Sequence, residues 1–131
     1  MQTDRDYLLD LINAAWTTQA IAASVELHLA DHLSDQPCNA ATLAQATSSH
    51  APSHARLLNA LASLDIVVER EDATFALTAT GELLRRGAAD SLAWWSLLAG
   101  GRIWASFGSL AASVRTGQSA RRRTGGNDRS G

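Results

Sequence analysis

The first part of the chain has apolar residues at helical spacing over a long uninterrupted segment. Between Arg5 and Leu33 there is no proline or glycine, and apolar side chains recur every three or four residues. This periodicity predicts a long helix with a break near Glu26. Its apolar sector is too wide for a helix that packs on one side only. We therefore expect it to contact a second surface, either another domain or another copy of the chain.

From residue 34 to about residue 80 the pattern changes to short helices and strands. Asn39 is placed as the N-cap of a short helix over "AATLAQAT", and leucines at helical spacing predict a second helix that ends near Asp65. The β-branched and aromatic runs "IVVER" and "TFALT", separated by "EDA", predict a β-hairpin. The order helix, turn, helix, hairpin is that of a winged-helix unit.

The last third contains a tryptophan-rich amphipathic segment. Ser91 is expected to cap the helical stretch "LAWWSLLAGGRIWASFGSLAASVRTG". Gly100 and Gly101 should loosen or split this helix, because glycine costs a helix interior about 1 kcal/mol relative to alanine. Residues 118–131 have almost nothing apolar to bury and are predicted to be disordered.

Composition and charge narrow the class of protein. The 131 residues, 46% of them apolar, suffice for one domain with its own core. No apolar run is long enough to span a membrane and no signal peptide is apparent, so we expect a cytoplasmic protein. Residues 1–120 hold seven arginines against twelve acids, whereas residues 121–131 hold four arginines against one acid. An acidic body argues against nucleic acid as the main partner.

Candidate chemistry is sparse. His28 and His32, like His50 and His54, stand four residues apart, but neither pair has a third ligand. The single cysteine, Cys38, has no partner for a disulfide, and no closely spaced glycines follow a predicted strand. We assign no catalytic, cofactor-binding or metal-binding residue.

Four stretches in order resemble one known domain. "AIAASVELHLADHLSD", "NAATLAQAT" with "HARLLNALASLDIVVER", "FALTATGELLRRGAADSL" and "IWASFGSLAASVRTGQSA" resemble the N-terminal dimerisation domain of S-adenosylmethionine-dependent O-methyltransferases. That family includes plant caffeic-acid-type and hydroxyindole enzymes and bacterial antibiotic-tailoring enzymes. The resemblance covers nearly everything from Leu8 to Ala120. It implies a mainly α, winged-helix-like domain with one small β-hairpin, which forms an interlocking helical dimer.

The resemblance also implies roles for particular residues. In the family the N-terminal helices interlock two subunits, which here assigns a homodimer interface to Leu8, Leu11, Ile12, Trp16 and Ile21. Trp104 and Phe107 match the helix that lies beside the acceptor substrate, and are expected to form part of a substrate-pocket wall. For Trp94 and Trp95 we favour the alternative, that they are aromatic core residues.

The resemblance further implies a division into domains. Residues 1–117 would be the dimerisation domain, with a winged-helix core at about 34–80. The family's glycine-rich cofactor loop and histidine base match no position here. We therefore expect a chain truncated before a Rossmann-like catalytic domain and inactive alone, with S-adenosylmethionine as cofactor of the full-length enzyme only. In this interpretation the chain leaves the family's pattern at the triple arginine 121–123.

Two other functions remain open at this point. The chain could be a small winged-helix DNA-binding transcription regulator, although its second short helix offers only His54, Arg56 and Asn59 to the bases. It could also be a non-catalytic partner subunit of another methyltransferase.

Overall fold

The computed structural model describes residues 1–119. Three helices form its N-terminal part: α1 (Asp4–Asn13), α2 (Ala15–Glu26) and α3 (Leu29–Leu33). The predicted break near Glu26 is confirmed, since His28 adopts a left-handed conformation with φ 57° before α3 begins. A second interruption, at Ala14, was not predicted. Ala14 keeps right-handed helical angles, and bonds of the i to i−3 type flank it, so the interruption is one tightened turn.

The middle of the chain has the expected winged-helix order. Its elements are α4 (Ala40–Ala46), α5 (Ala51–Ser63), β2 (Val67–Glu69) and β3 (Thr74–Leu77). Asn39 caps α4 as predicted, because its side-chain carbonyl accepts the backbone N–H of Thr42 at 2.7 Å. Pro52 lies in the first turn of α5, where its missing N–H costs no helical hydrogen bond.

The sheet has one strand more than the predicted hairpin. Strand β1 (Cys38–Asn39) pairs with β3, and the antiparallel order is β1-β3-β2. Phe75 of β3 lies between Cys38 on one side and Glu69 on the other. The predicted hairpin is confirmed as β2 and β3. The additional strand β1 was not predicted, because two residues are too few to show strand alternation.

Within residues 1–119, four helices follow the sheet: α6 (Ala79–Glu82), α7 (Ala93–Gly100), α8 (Arg102–Phe107) and α9 (Leu110–Thr116). The predicted division at Gly100 and Gly101 is confirmed, since α7 ends at the first and α8 begins after the second. Another division falls between α8 and α9, at Gly108 and Ser109. The mainly α, winged-helix-like fold is thus present, with a three-stranded sheet.

The hydrophobic core lies where α3, α4, α5 and the sheet meet. Leu29, Leu43, Leu58 and Leu61 are completely enclosed there. Every buried apolar residue among those described falls between Ala22 and Ala93. None of the described helices is long and apolar enough to cross a bilayer. Two predictions concern the end of the chain: the disorder of residues 118–131 and the interpretation of the triple arginine. Of these residues, only 118 and 119 belong to the described part.

Candidate functional site

Exposed apolar side chains are concentrated at the two ends of the described chain. Of the fifteen large apolar residues that are exposed, fourteen precede residue 17 or follow residue 91, and only Val68 lies between. This concentration at the ends of the chain differs from the single, scattered apolar residues that are normal on a protein surface. The N-terminal members are Met1, Tyr7, Leu8, Leu9, Leu11, Ile12 and Trp16; the C-terminal members are Leu92, Trp94, Trp95, Trp104, Phe107, Leu110 and Val114.

Helix α1 forms the first of these surfaces. Leu8, Leu11, Ile12 and Trp16 are between 47% and 63% exposed, and no residue of α1 is buried. At 100° per residue the apolar sector of this helix covers roughly 200° of its circumference; Asp6, Asp10 and Asn13 lie opposite, whereas Asp4 and Arg5 of the first turn fall within the sector. The helix starts with a capping box formed by Thr3 and Asp6. Four of the five predicted interface residues therefore share one accessible surface.

Ile21, the fifth predicted interface residue, lies in a different environment. It is partly buried and packs against the core. It also lines an open apolar groove of about 280 Å³ between α2, α6 and α7. Leu83, Leu92 and Trp95 line the same groove. Sequence reasoning did not find this groove, because its walls come from segments far apart in the chain.

Helices α8 and α9 form the second surface. Neither has a buried residue, and both Trp104 and Phe107 are exposed. The interpretation of Trp94 and Trp95 as core residues was wrong, since they are 72% and 60% exposed. In a helix of small and apolar residues, periodicity alone does not tell an interior face from an interface.

The two surfaces are connected where α2 meets α7. The Gln19 Nε2 group donates a hydrogen bond to the Gly100 carbonyl at 2.8 Å, and a side chain at position 100 would collide with Ala22. A second tie lies nearby: the Arg86 guanidinium donates to the Val25 carbonyl at 3.0 Å, and the Arg86 N–H donates to the Asp31 carboxylate at 3.2 Å. These contacts hold the segment after the sheet against the first helices.

Titratable groups form no catalytic arrangement in the described part. His54 is 2% exposed, its Nδ1 lies 3.4 Å from the Thr47 hydroxyl, and its Nε2 has no hydrogen-bond partner. Burial lowers the pKa of His54, so the imidazole is kept neutral. No cluster of three or more potential metal ligands occurs within residues 1–119. Because His54 is enclosed, it is also not available as a base-contacting residue of α5.

Comparison with known proteins assigns this architecture to a family. The model of the family "O-methyltransferase dimerisation domain" matches residues 9–87. The chain belongs to this O-methyltransferase dimerisation-domain family. The matched region begins within α1 and ends in the loop after α6, so it contains the whole winged-helix core.

Relatives of the chain are bacterial methyltransferases of secondary metabolism. Over 113 residues it is 31% identical to phenazine O-methyltransferase PhzM of Lysobacter antibioticus, covering 86% of this chain and 33% of that protein. Over 114 residues it is 38% identical to 3-amino-4-hydroxybenzoate 4-O-methyltransferase of Streptomyces cremeus, covering 86% and 31%. The chain thus spans about a third of the length of these curated relatives.

A solved structure extends the likeness to nearly the whole chain. PigF with SAH superimposes with a TM-score of 0.85 at 26% identity, covering 98% of this chain and 38% of PigF. The described residues here do not fit such a cofactor: no glycine-rich loop joins a strand to a helix, and the glycine after β3, Gly81, packs too closely on the Ile66 carbonyl to cradle a ligand.

Proposed function

We propose that the chain forms a homodimer through the apolar surface of α1 and the groove between α2, α6 and α7. In this proposal Leu8, Leu11, Ile12 and Trp16 are interface residues, with Ile21 at the base of the groove. The observation that carries it is that five of the ten residues of α1 are apolar and none of them is buried within its own subunit. The family to which the chain belongs supports the same conclusion.

The energetics favour association of α1 with a partner. Helix α1 continues into α2 through Ala14, but none of the residues of α1 is buried within the subunit. Burying a leucine or isoleucine side chain completely contributes about 1.5–3 kcal/mol. Four half-exposed apolar side chains on each of two subunits can then offset the roughly 4–15 kcal/mol that association costs.

The second part of the proposal concerns the substrate. Trp104 and Phe107 would form part of the wall of an acceptor pocket in a methyltransferase of secondary metabolites, with residues 1–117 as the dimerisation unit. Support comes from the exposure of both aromatic rings and from the named substrates of the two relatives, which are aromatic. Methyl transfer from S-adenosylmethionine is assigned to a separate catalytic domain, because residues 1–119 do not fit the cofactor.

Light scattering coupled to size exclusion tests the dimer directly. At tens of micromolar we expect a mass of twice 13.9 kDa, and dilution should shift it toward the single-chain value. A mass of one chain at every concentration contradicts the proposed function.

A further inference from the structure

The contact between α2 and α7, together with the start of α8, forms a compact unit that we call the α2–α7 joint. It consists of Gln19, Ala22, Gly100 and Gly101. The Gly100 carbonyl belongs to the last turn of α7, where carbonyls lack helical partners, and the Gln19 amide supplies the missing donor at 2.8 Å. Gly100 has no Cβ, which lets α2 approach at Ala22. This joint binds the end of α7 to the side of α2.

The same joint fixes where α8 begins. Gly101 separates α7 from α8, and a Cβ there would lie 2.9 Å from the Leu97 carbonyl oxygen. Its own carbonyl accepts the Ala105 N–H at 2.9 Å and so belongs to the first turn of α8. Since α8 buries no side chain among the described residues, the direction of α8 depends mainly on this joint.

On its other side the joint is next to the exposed surface of α1. Gln19 lies little more than one turn beyond Ala14, and Ala14 keeps helical angles between α1 and α2. A change in the position of α1 is therefore passed to Gln19 along almost continuous helix. The chain distance from Gln19 to Gly100 is 81 residues, yet their atoms are in direct contact.

We propose that Gln19 is a positioning residue, whose hydrogen bond to Gly100 couples dimer formation at α1 to the direction of α8 and hence to the placement of Trp104 and Phe107. The inference rests on the proposed function, because it requires both the dimer and the pocket wall. It adds a link between them: the subunit that binds α1 also holds the aromatic wall of its partner in place.

Hydrogen exchange measured by mass spectrometry on the 131-residue chain tests the coupling. In Gln19→Met the side chain keeps its approximate size and loses its donor. At concentrations that keep the dimer, we expect the amides of Arg102–Phe107 to exchange about three- to tenfold faster, which is the factor that corresponds to one lost hydrogen bond. Exchange in Ala40–Ala46 and Ala51–Ser63 should be unchanged. Gln45→Met, on the exposed side of α4, should leave both regions unchanged.

Dilution distinguishes coupling from a purely local structural role of Gln19, because a local role would not make the exchange rate of α8 depend on dimer dissociation. When the wild-type dimer dissociates, exchange in α8 should rise to the rate of Gln19→Met, whereas the variant should show no further rise. Since coupling is reciprocal, Gln19→Met should also weaken the dimer by a similar factor. Gln19→Lys, which again offers a donor to a helix C-terminus, should restore slow exchange.

The outcomes separate the two proposals. A wild-type chain that is monomeric throughout overturns the proposed function and the coupling with it. A wild-type dimer in which Gln19→Met leaves α8 exchange unchanged overturns the coupling alone. A dilution effect of equal size in wild type and Gln19→Met also overturns it, because α8 would then contact the partner directly.

Discussion

Helices α1 and α5 have similar amphipathic patterns but opposite surroundings. In α5 the apolar residues Leu58 and Leu61 are completely enclosed by the core. In α1 the apolar residues Leu8, Leu11 and Ile12 are all more than half exposed. The region from Ala22 to Ala93 contains every buried apolar residue of the described chain, whereas the helices at either end present apolar surface outward. Periodicity therefore predicts an apolar face without showing whether that face packs within the chain or against a partner.

The largest expected difference between the two regions is in the response to shortening a leucine. Leu61→Ala removes a fully enclosed side chain and should lower the free energy of unfolding by about 2–5 kcal/mol at every protein concentration. Leu11→Ala, in α1, should cost less than about 1 kcal/mol in the monomer and more when the dimer is populated. Urea unfolding at two protein concentrations measures both. Equal, concentration-independent losses would show that α1 belongs to the subunit core.

A charge on the apolar surface of α1 should break the dimer and leave the fold intact. In Ile12→Asp a carboxylate would be desolvated at the interface without a partner, so we expect the dissociation constant to rise at least about 100-fold. The control is Asn13→Asp, which adds the same charge to the polar side of the same helix. Sedimentation velocity gives the association state, and circular dichroism checks the fold. An undisturbed dimer in Ile12→Asp would place the interface elsewhere.

The next prediction compares alanine substitutions at two glycines: Gly100, which is closely packed in the α2–α7 joint, and Gly87, which has open space around it. Gly100→Ala places a methyl group into Ala22, so α7 must move away from α2, at a cost of about 1–3 kcal/mol. A Cβ at Gly87 would meet nothing within 4 Å, and Gly87→Ala should be neutral or slightly stabilising. Thermal unfolding gives the stability of both, and tryptophan fluorescence reports the change around α7. Similar melting temperatures for both variants would contradict the close packing at Gly100.

A structural feature could be predicted from the sequence when the residues that determine it are neighbours in the chain. Local signals were sufficient for the Asn39 cap, the break near Glu26, the β2–β3 hairpin and the glycines that divide α7 from α8. The third strand was missed because β1 has two residues and is identified only through its pairing with β3. The hydrogen bond from Gln19 to Gly100 was missed because nothing in either local sequence points to a residue 81 positions away.

For the candidate site, too, some features were predicted from the sequence and others were missed. The exposure of Leu8, Leu11, Ile12 and Trp16 agrees with their selection as interface residues, but the interface itself stays a prediction. The spacing of the histidines raised only the question of a metal site, and the burial of His54 was not predicted. His54 lies on the inner face of α5, one turn before Leu58, where its ring is next to Thr47. Whether a histidine of this helix faces Thr47 or solvent depends only on its position around the helix axis.

The smallest expected effect concerns His54 and the pH dependence of the completed core. Burial lowers the pKa of His54 in the folded chain below its ordinary value of 6.5, which applies in the unfolded chain. The unfolded state therefore binds the proton more readily. Stability should be complete above about pH 6.5 and fall as the pH decreases below it, with a slope of at most about 1.4 kcal/mol per pH unit for one proton. Urea unfolding at fixed concentration between pH 7.5 and 5.5 measures this loss.

The matched variants separate His54 from the other titrating groups. His54→Gln keeps a polar side chain near Thr47 but cannot gain a proton, so its stability should depend less on pH than that of the wild type. His32→Gln makes the same substitution at an exposed histidine and serves as the matched control. Because the effect arises within the core, it should be equally large in the dissociated Ile12→Asp variant. If the pH dependence disappeared on dissociation, the titrating group would lie at the interface and not at His54.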